Sequence, residues 1–153
     1  MPKLETKIPP PLVLVIFLFI CWLLRGVEPT IEIGNTPRNA ILAGSFIIGL
    51  GIDIIAFREF RKFHTTINPM APQDAKQIVT SGFYSKTRNP MYLASAILLF
   101  GWAIYNGSLV GFLTVPFFVL YLNHFQIIPE ERALSAKFGQ EYLDYLQKVR
   151  RWI

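Results

Sequence analysis

The chain of 153 residues is poor in the groups that soluble enzymes rely on. It has one cysteine, Cys21, which excludes an internal disulfide and a multi-cysteine metal centre. Its two histidines, His64 and His124, share no metal-ligand spacing, so no metal is expected. Charged residues make up only 16%, against about 25% in an ordinary soluble domain. From Met91 to Pro129 there is no Lys, Arg, Asp or Glu at all. There is no glycine-rich phosphate loop: Gly49-Leu50-Gly51 sits inside an apolar run without the rest of that fingerprint. No nucleic-acid module is present, and the net charge of +5 is not read as a nucleic-acid footprint. In so apolar a chain, cations mark cytoplasmic loops instead.

What remains is 52% hydrophobic, which points to an all-α integral membrane protein forming a single domain. About four transmembrane helices are expected, over 9–25, 38–62, 90–105 and 107–128, followed by a cytoplasmic amphipathic helix over 130–150. Pro9-Pro10-Pro11 prevents an earlier start to the first helix. Thr36-Pro37 opens the second, where Gly44, Gly49 and Gly51 allow close helix approach. Asn106-Gly107 supplies the turn of a hairpin, and Pro116 is placed to kink its second arm. Leu134, Phe138, Tyr142, Tyr145 and Val149 recur at helical spacing as one apolar face of the last helix. Lys148, Arg150 and Arg151 at its end suit an anionic lipid surface. Thirteen of the fifteen Lys and Arg lie in 1–10, 58–90 and 130–153. The positive-inside rule therefore puts both termini and the long middle connection in the cytoplasm.

That orientation brings Gly82–Tyr92 and Glu130-Glu131, forty residues apart, to opposite ends of one hairpin on the same membrane face. The mouth they form offers the rings of Tyr84 and Tyr92, the charges of Lys86 and Arg88, the Asn89 amide and two carboxylates. A ligand carrying both a cation and a carboxylate is matched by this set, through carboxylates and ring faces on one side and cations or backbone amides on the other. Asp53 is the only acid inside an apolar run, which marks it as a candidate site residue. Each feature also has a plainer explanation: belt aromatics, positive-inside cations, a helix N-terminal acidic pair, and Asp53 pairing with Arg58.

The ordered set Thr65-Thr66-Ile67-Asn68-Pro69, Val79-Thr80-Ser81-Gly82-Phe83-Tyr84, Thr87-Arg88-Asn89-Pro90-Met91-Tyr92, Glu130-Glu131 and Phe138-Gly139-Gln140-Glu141-Tyr142 resembles the isoprenylcysteine carboxyl methyltransferase family, whose relatives include phospholipid N-methyltransferases. The resemblance covers roughly residues 40–153. It implies an integral membrane enzyme that uses S-adenosylmethionine without a Rossmann sheet. By this resemblance the cofactor contacts fall on Lys76, Gln77, Ile78, Val79, Tyr84, Asn89, Pro90, Met91, Tyr92 and Glu130, with Glu131 and Arg88 as the catalytic pair. Gln126 stands where eukaryotic members carry an Arg that recognises substrate, and Asn89 where they carry His. Gln126, His124 and Asp53 are the candidate acceptor contacts. The implied partners are the lipid bilayer and a lipidic methyl acceptor, in the plasma membrane of a prokaryote. A phospholipid or amine N-methyltransferase, a cofactor-binding protein without catalysis, and a structural membrane subunit remain the alternatives.

Overall fold

The computed structural model describes residues 5–63, 65–66 and 70–153, with Gln73 described by its backbone alone. Ile67, Asn68 and Pro69 of the motif above, together with His64, lie outside the described residues. Among the described residues the chain is helical, with no strand beyond one antiparallel bridge between Thr30 and Ser108.

The first helix, α1, spans Pro10–Leu23 and opens on the prolines, whose missing amides are unpaired at a helix start anyway. The second, α2, spans Asn35–Lys62, 28 residues or about 42 Å of rise. The third, α3, spans Pro90–Asn106 and packs along α2 in the most extensive helix pair of the fold. Small residues permit that approach: a methyl group added at Gly101 would lie 2.0 Å from Ser45 Oγ, and one at Gly49 would lie 3.2 Å from the Ala94 carbonyl oxygen. Gly44 and Gly51 have open space beside them, so of the three α2 glycines only Gly49 serves helix approach.

The expected turn at Asn106-Gly107 is present. Gly107 takes φ +71°, and Asn106 Nδ2 closes the helix end on the Trp102 carbonyl at 2.8 Å. Beyond it runs one helical rod over 109–138 in four pieces: α4 Leu109–Phe112, α5 Thr114–Leu122, a π-helical turn Asn123–Ile127, and α6 Ile128–Phe138. Both internal prolines explain the joints. Pro116 lacks the amide that would reach the Phe112 carbonyl, and the rod breaks just there. Pro129 likewise leaves the Phe125 carbonyl free, and Thr6 donates its amide to that oxygen at 2.9 Å. A helix start at Glu130 was expected, yet the chain is already helical on both sides of Pro129 because the π turn absorbs the proline. The break comes instead at Gly139, φ +56°, after which α7 runs over Gln140–Lys148. The expected C-terminal helix over 130–150 is thus two helices, the first continuous with the apolar rod.

Two helices are long and apolar enough to cross a membrane, α2 and the 109–138 rod. The other two expected spans, α1 and α3, are apolar but have 14 and 17 residues, about 21 and 26 Å of rise against a hydrocarbon core of about 30 Å. Large apolar side chains stand exposed along α1, α2 and α5, among them Phe19, Phe46, Ile47 at 68% and Phe117. That belt would be a liability in water and is what a bilayer covers. Inside, Val13 and Cys21 pack against Leu99, Ala103, Phe118, Leu122 and Ile127. Cys21 is fully buried there, as a small apolar filler.

Candidate functional site

At the end of the bundle where α2, α3 and α6 converge lies a cavity of about 690 Å³. Its wall comes from residues between Asp53 and Arg61 of α2, from Ala75 and Gln77 to Val79, from Tyr84, from Arg88–Tyr92 with Ser95, from residues between Ile127 and Leu134, and from Tyr142 with Tyr145 of α7. Pro10 and Pro11 at the start of α1, with Thr66 and Pro72, add to it.

Glu130 sits at the inner end. The Tyr92 hydroxyl lies 3.0 and 3.1 Å from its two carboxylate oxygens, and Gln126 Nε2 donates to Oε1 at 3.0 Å. A carboxylate has about four acceptor positions, so these donors orient Glu130 without saturating it. Glu131, one residue on, points to a different set. Arg88 Nη2 lies 3.2 Å from its Oε1, while Arg151 donates from Nε at 3.1 Å and from Nη2 at 2.6 Å. Both of its oxygens are therefore held by guanidinium groups, which makes it a bracket rather than an open base. Those hydrogen bonds push the Arg151 pKa further up. Arg88 Nε is buried and has no hydrogen-bond partner among the described residues.

The backbone around Arg88 is held from the far end of the chain. The Arg88 amide donates to the Arg150 carbonyl at 3.0 Å, and Thr87 Oγ1 and Asn89 Nδ2 donate to the Arg151 carbonyl at 3.2 and 2.9 Å. Asn89 occupies the N-cap of α3 but makes no capping bond. As in the first turn of any helix, the N–H groups of Met91 and Tyr92 have no intrahelical partner, and both residues line the cavity. A carboxylate is stabilised in such a place by both the amides and the helix dipole.

Buried aromatic residues form another side of the wall. Tyr84 is buried, its ring 5.3 Å from Phe60 and edge-on to it, and its carbonyl accepts from the Tyr145 hydroxyl at 2.7 Å. Burial pushes the phenols of Tyr84, Tyr142 and Tyr145 well above their ordinary value; Glu131 adds to this at Tyr142, and Arg88 opposes it at Tyr145. These rings present neutral π faces at any physiological pH.

Asp53, Gln77, Ile78, Val79, Tyr84, Arg88, Asn89, Pro90, Met91, Tyr92, Glu130 and Glu131 all line this one cavity. Three other expected site residues do not. The Lys76 side chain is exposed, and its amide donates to Thr65 Oγ1 at 2.8 Å. His124 is exposed against the edge of Phe125. Gln126, 2% exposed, donates to Glu130 and is not part of the cavity wall. Asp53 forms no ion pair with Arg58 among the described residues.

Residues 39–141 match the model of the family described as phospholipid methyltransferase. The chain belongs to the phospholipid methyltransferase family. That family is a branch of the isoprenylcysteine carboxyl methyltransferase-like superfamily and consists of membrane methyltransferases. A protein of Haemophilus influenzae (strain ATCC 51907 / DSM 11121 / KW20 / Rd), described as uncharacterized, is 46% identical over 63 residues, covering 41% of this chain and 100% of its own length. No solved structure matches. The matched segment includes α2 from residue 39 on, α3, the rod and both acids, while the tail that holds Arg88 and Glu131 lies beyond it. Arg151 and Thr87 were not among the sequence-derived candidates. Their contacts reach across 20 to 64 positions, and no local pattern announces such a pairing.

Proposed function

We propose that the protein is an S-adenosylmethionine-dependent methyltransferase of the membrane that transfers the methyl group to the amine of a phospholipid headgroup. The observation that carries this reading is the shared cavity. Glu130, Tyr92 and the uncapped start of α3 occupy one part of its wall, and Asp53, Arg58 and Arg61 of α2 belong to the same wall.

S-adenosylmethionine supplies a methyl carbon already activated by its positive sulfur. The residues present fit such a ligand. Glu130 and the rings of Tyr84, Tyr142 and Tyr145 suit the sulfonium. The Met91 and Tyr92 amides and the unpaired Nε of Arg88 suit the carboxylate. Ile78, Val79 and Leu134 give apolar wall for the nucleoside. What the protein contributes is then alignment and exclusion of water.

For the acceptor, α2 offers an acid followed within about two helical turns by two cations, all on the cavity side. This order is complementary to a headgroup with an amine at its tip and a phosphate behind it. Asp53 would hold the ammonium and take the proton the amine must lose, since Glu131 is occupied by Arg88 and Arg151. Gln126 is held by Glu130, so it offers no clamp for the carboxylate of a prenylated cysteine. Four membrane crossings, with α1 and α3 as the two shorter ones, one domain throughout and both termini cytoplasmic complete the proposal.

The test is incubation of the purified protein with deuteromethyl S-adenosylmethionine and a bacterial lipid extract, followed by mass spectrometry. Mass gain on aminophospholipids is expected. Label on a prenylcysteine carboxylate instead would overturn the acceptor, and binding without transfer would make the protein a sensor.

A further inference from the structure

The residues after α7 do more than end the chain. Val149 leaves helical geometry at φ −121°, ψ 132°, and the extended segment that follows crosses the start of α3. Two main-chain carbonyls and one side chain do the holding. The Arg150 carbonyl takes the Arg88 amide; the Arg151 carbonyl takes Thr87 and Asn89; the Arg151 guanidinium grips Glu131, which in turn grips Arg88. Trp152 Nε1 anchors the far end on Asn123 Oδ1, in the π turn, at 3.0 Å. The segment thus adds a second tie, beside the Tyr92–Glu130 contact, between the two elements that carry the methyl-donor side of the cavity, α3 and α6.

The detail at Asn89 gives the tie its consequence. An Asn at an N-cap ordinarily accepts from the second or third amide of its own helix. Here its amide group is drawn to Arg151, and the first-turn N–H groups of α3 stay available to a ligand. Release of the tail would free Asn89 to cap α3 and would leave Glu131 with Arg88 alone.

We propose that 149–152 is a strap that keeps the methyl-donor pocket assembled, and that Arg151 is its positioning residue. This rests on the cofactor reading above. Arg151 touches no reacting atom; it acts through Glu131 and through the backbone it holds against Asn89.

Arg150 is the control, since it carries the same charge one position away on an exposed side chain and has no side-chain bond among the described residues. Calorimetry with S-adenosylmethionine in detergent should show Arg151→Ala weakening binding tenfold or more, Arg151→Lys recovering part of that, and Arg150→Ala staying within about twofold of the unchanged protein. Hydrogen exchange at the Arg88 amide supplies a readout independent of cofactor: Arg151→Ala should speed it, and Arg150→Ala should not. If the two alanine variants behave alike in both measurements, the tail cations act at a lipid surface and the strap is overturned. If the unchanged protein binds no S-adenosylmethionine, the cofactor reading fails, while the exchange at Arg88 still decides whether Arg151 holds the tail.

Discussion

The Tyr92 hydroxyl lies at nearly equal distance, 3.0 and 3.1 Å, from the two carboxylate oxygens of Glu130. Tyr92 lies in the first turn of α3 and Glu130 in the first turn of α6, just after the π turn. The contact therefore fixes the two helices against each other at the cavity. A hydrogen bond to a charged group contributes about 1.5–3 kcal/mol. Tyr92→Phe should keep the fold and weaken S-adenosylmethionine binding by roughly tenfold to a hundredfold, as read by calorimetry.

Gln126 separates two readings of the same position. If it orients Glu130, Gln126→Leu removes a donor from a half-buried carboxylate, and the loss should fall on cofactor affinity. The acceptor KM should be unaffected. A change confined to the acceptor KM would return Gln126 to the acceptor site.

Asp53 should show the opposite pattern. Asp53→Asn keeps shape and removes the charge, so methyl transfer to an amine acceptor should fall at least tenfold while the cofactor dissociation constant moves by less than about twofold. Parallel initial-rate and binding measurements check this split. Equal loss in both would make Asp53 part of the methyl-donor pocket.

Stability should depend on pH at the alkaline end. The phenols of Tyr84, Tyr142 and Tyr145 are raised by burial, whereas unfolded tyrosines ionise near about 10. Above that pH the unfolded chain has released protons that the folded one retains, so folding stability falls as pH rises; below it the contribution is constant. Tyr145→Phe should flatten the fall and lower the plateau by about 1 kcal/mol through the lost bond to the Tyr84 carbonyl. Denaturant titrations in detergent from about pH 8 to about pH 11, a span that brackets the ordinary phenol value, measure both effects.

Much of this arrangement was legible in the sequence because it follows from local rules. The apolar runs gave the helices, Asn106-Gly107 gave the hairpin, and the hairpin brought the Gly82–Tyr92 stretch beside Glu130. Three things were not legible, each for a physical reason. Pro129 looked like a helix start because its missing amide normally ends an α-helical ladder; the π turn and the Thr6 amide made the break harmless. Gly139 bears a positive φ that divides α6 from α7, although the apolar spacing from Leu134 to Val149 runs through it unbroken. Arg151 looked like a lipid-facing charge, because an Arg beside other cations at a helix end carries no sign of a carboxylate twenty positions back.

The central claim is that Glu130 holds the methyl donor. Calorimetry of S-adenosylmethionine with the unchanged protein and with Glu130→Ala, both in detergent and both checked for helicity, tests it most directly. Saturable one-to-one binding is expected for the unchanged protein and none detectable for the folded variant; equal affinity in the two would mean that Glu130 does not hold the methyl donor.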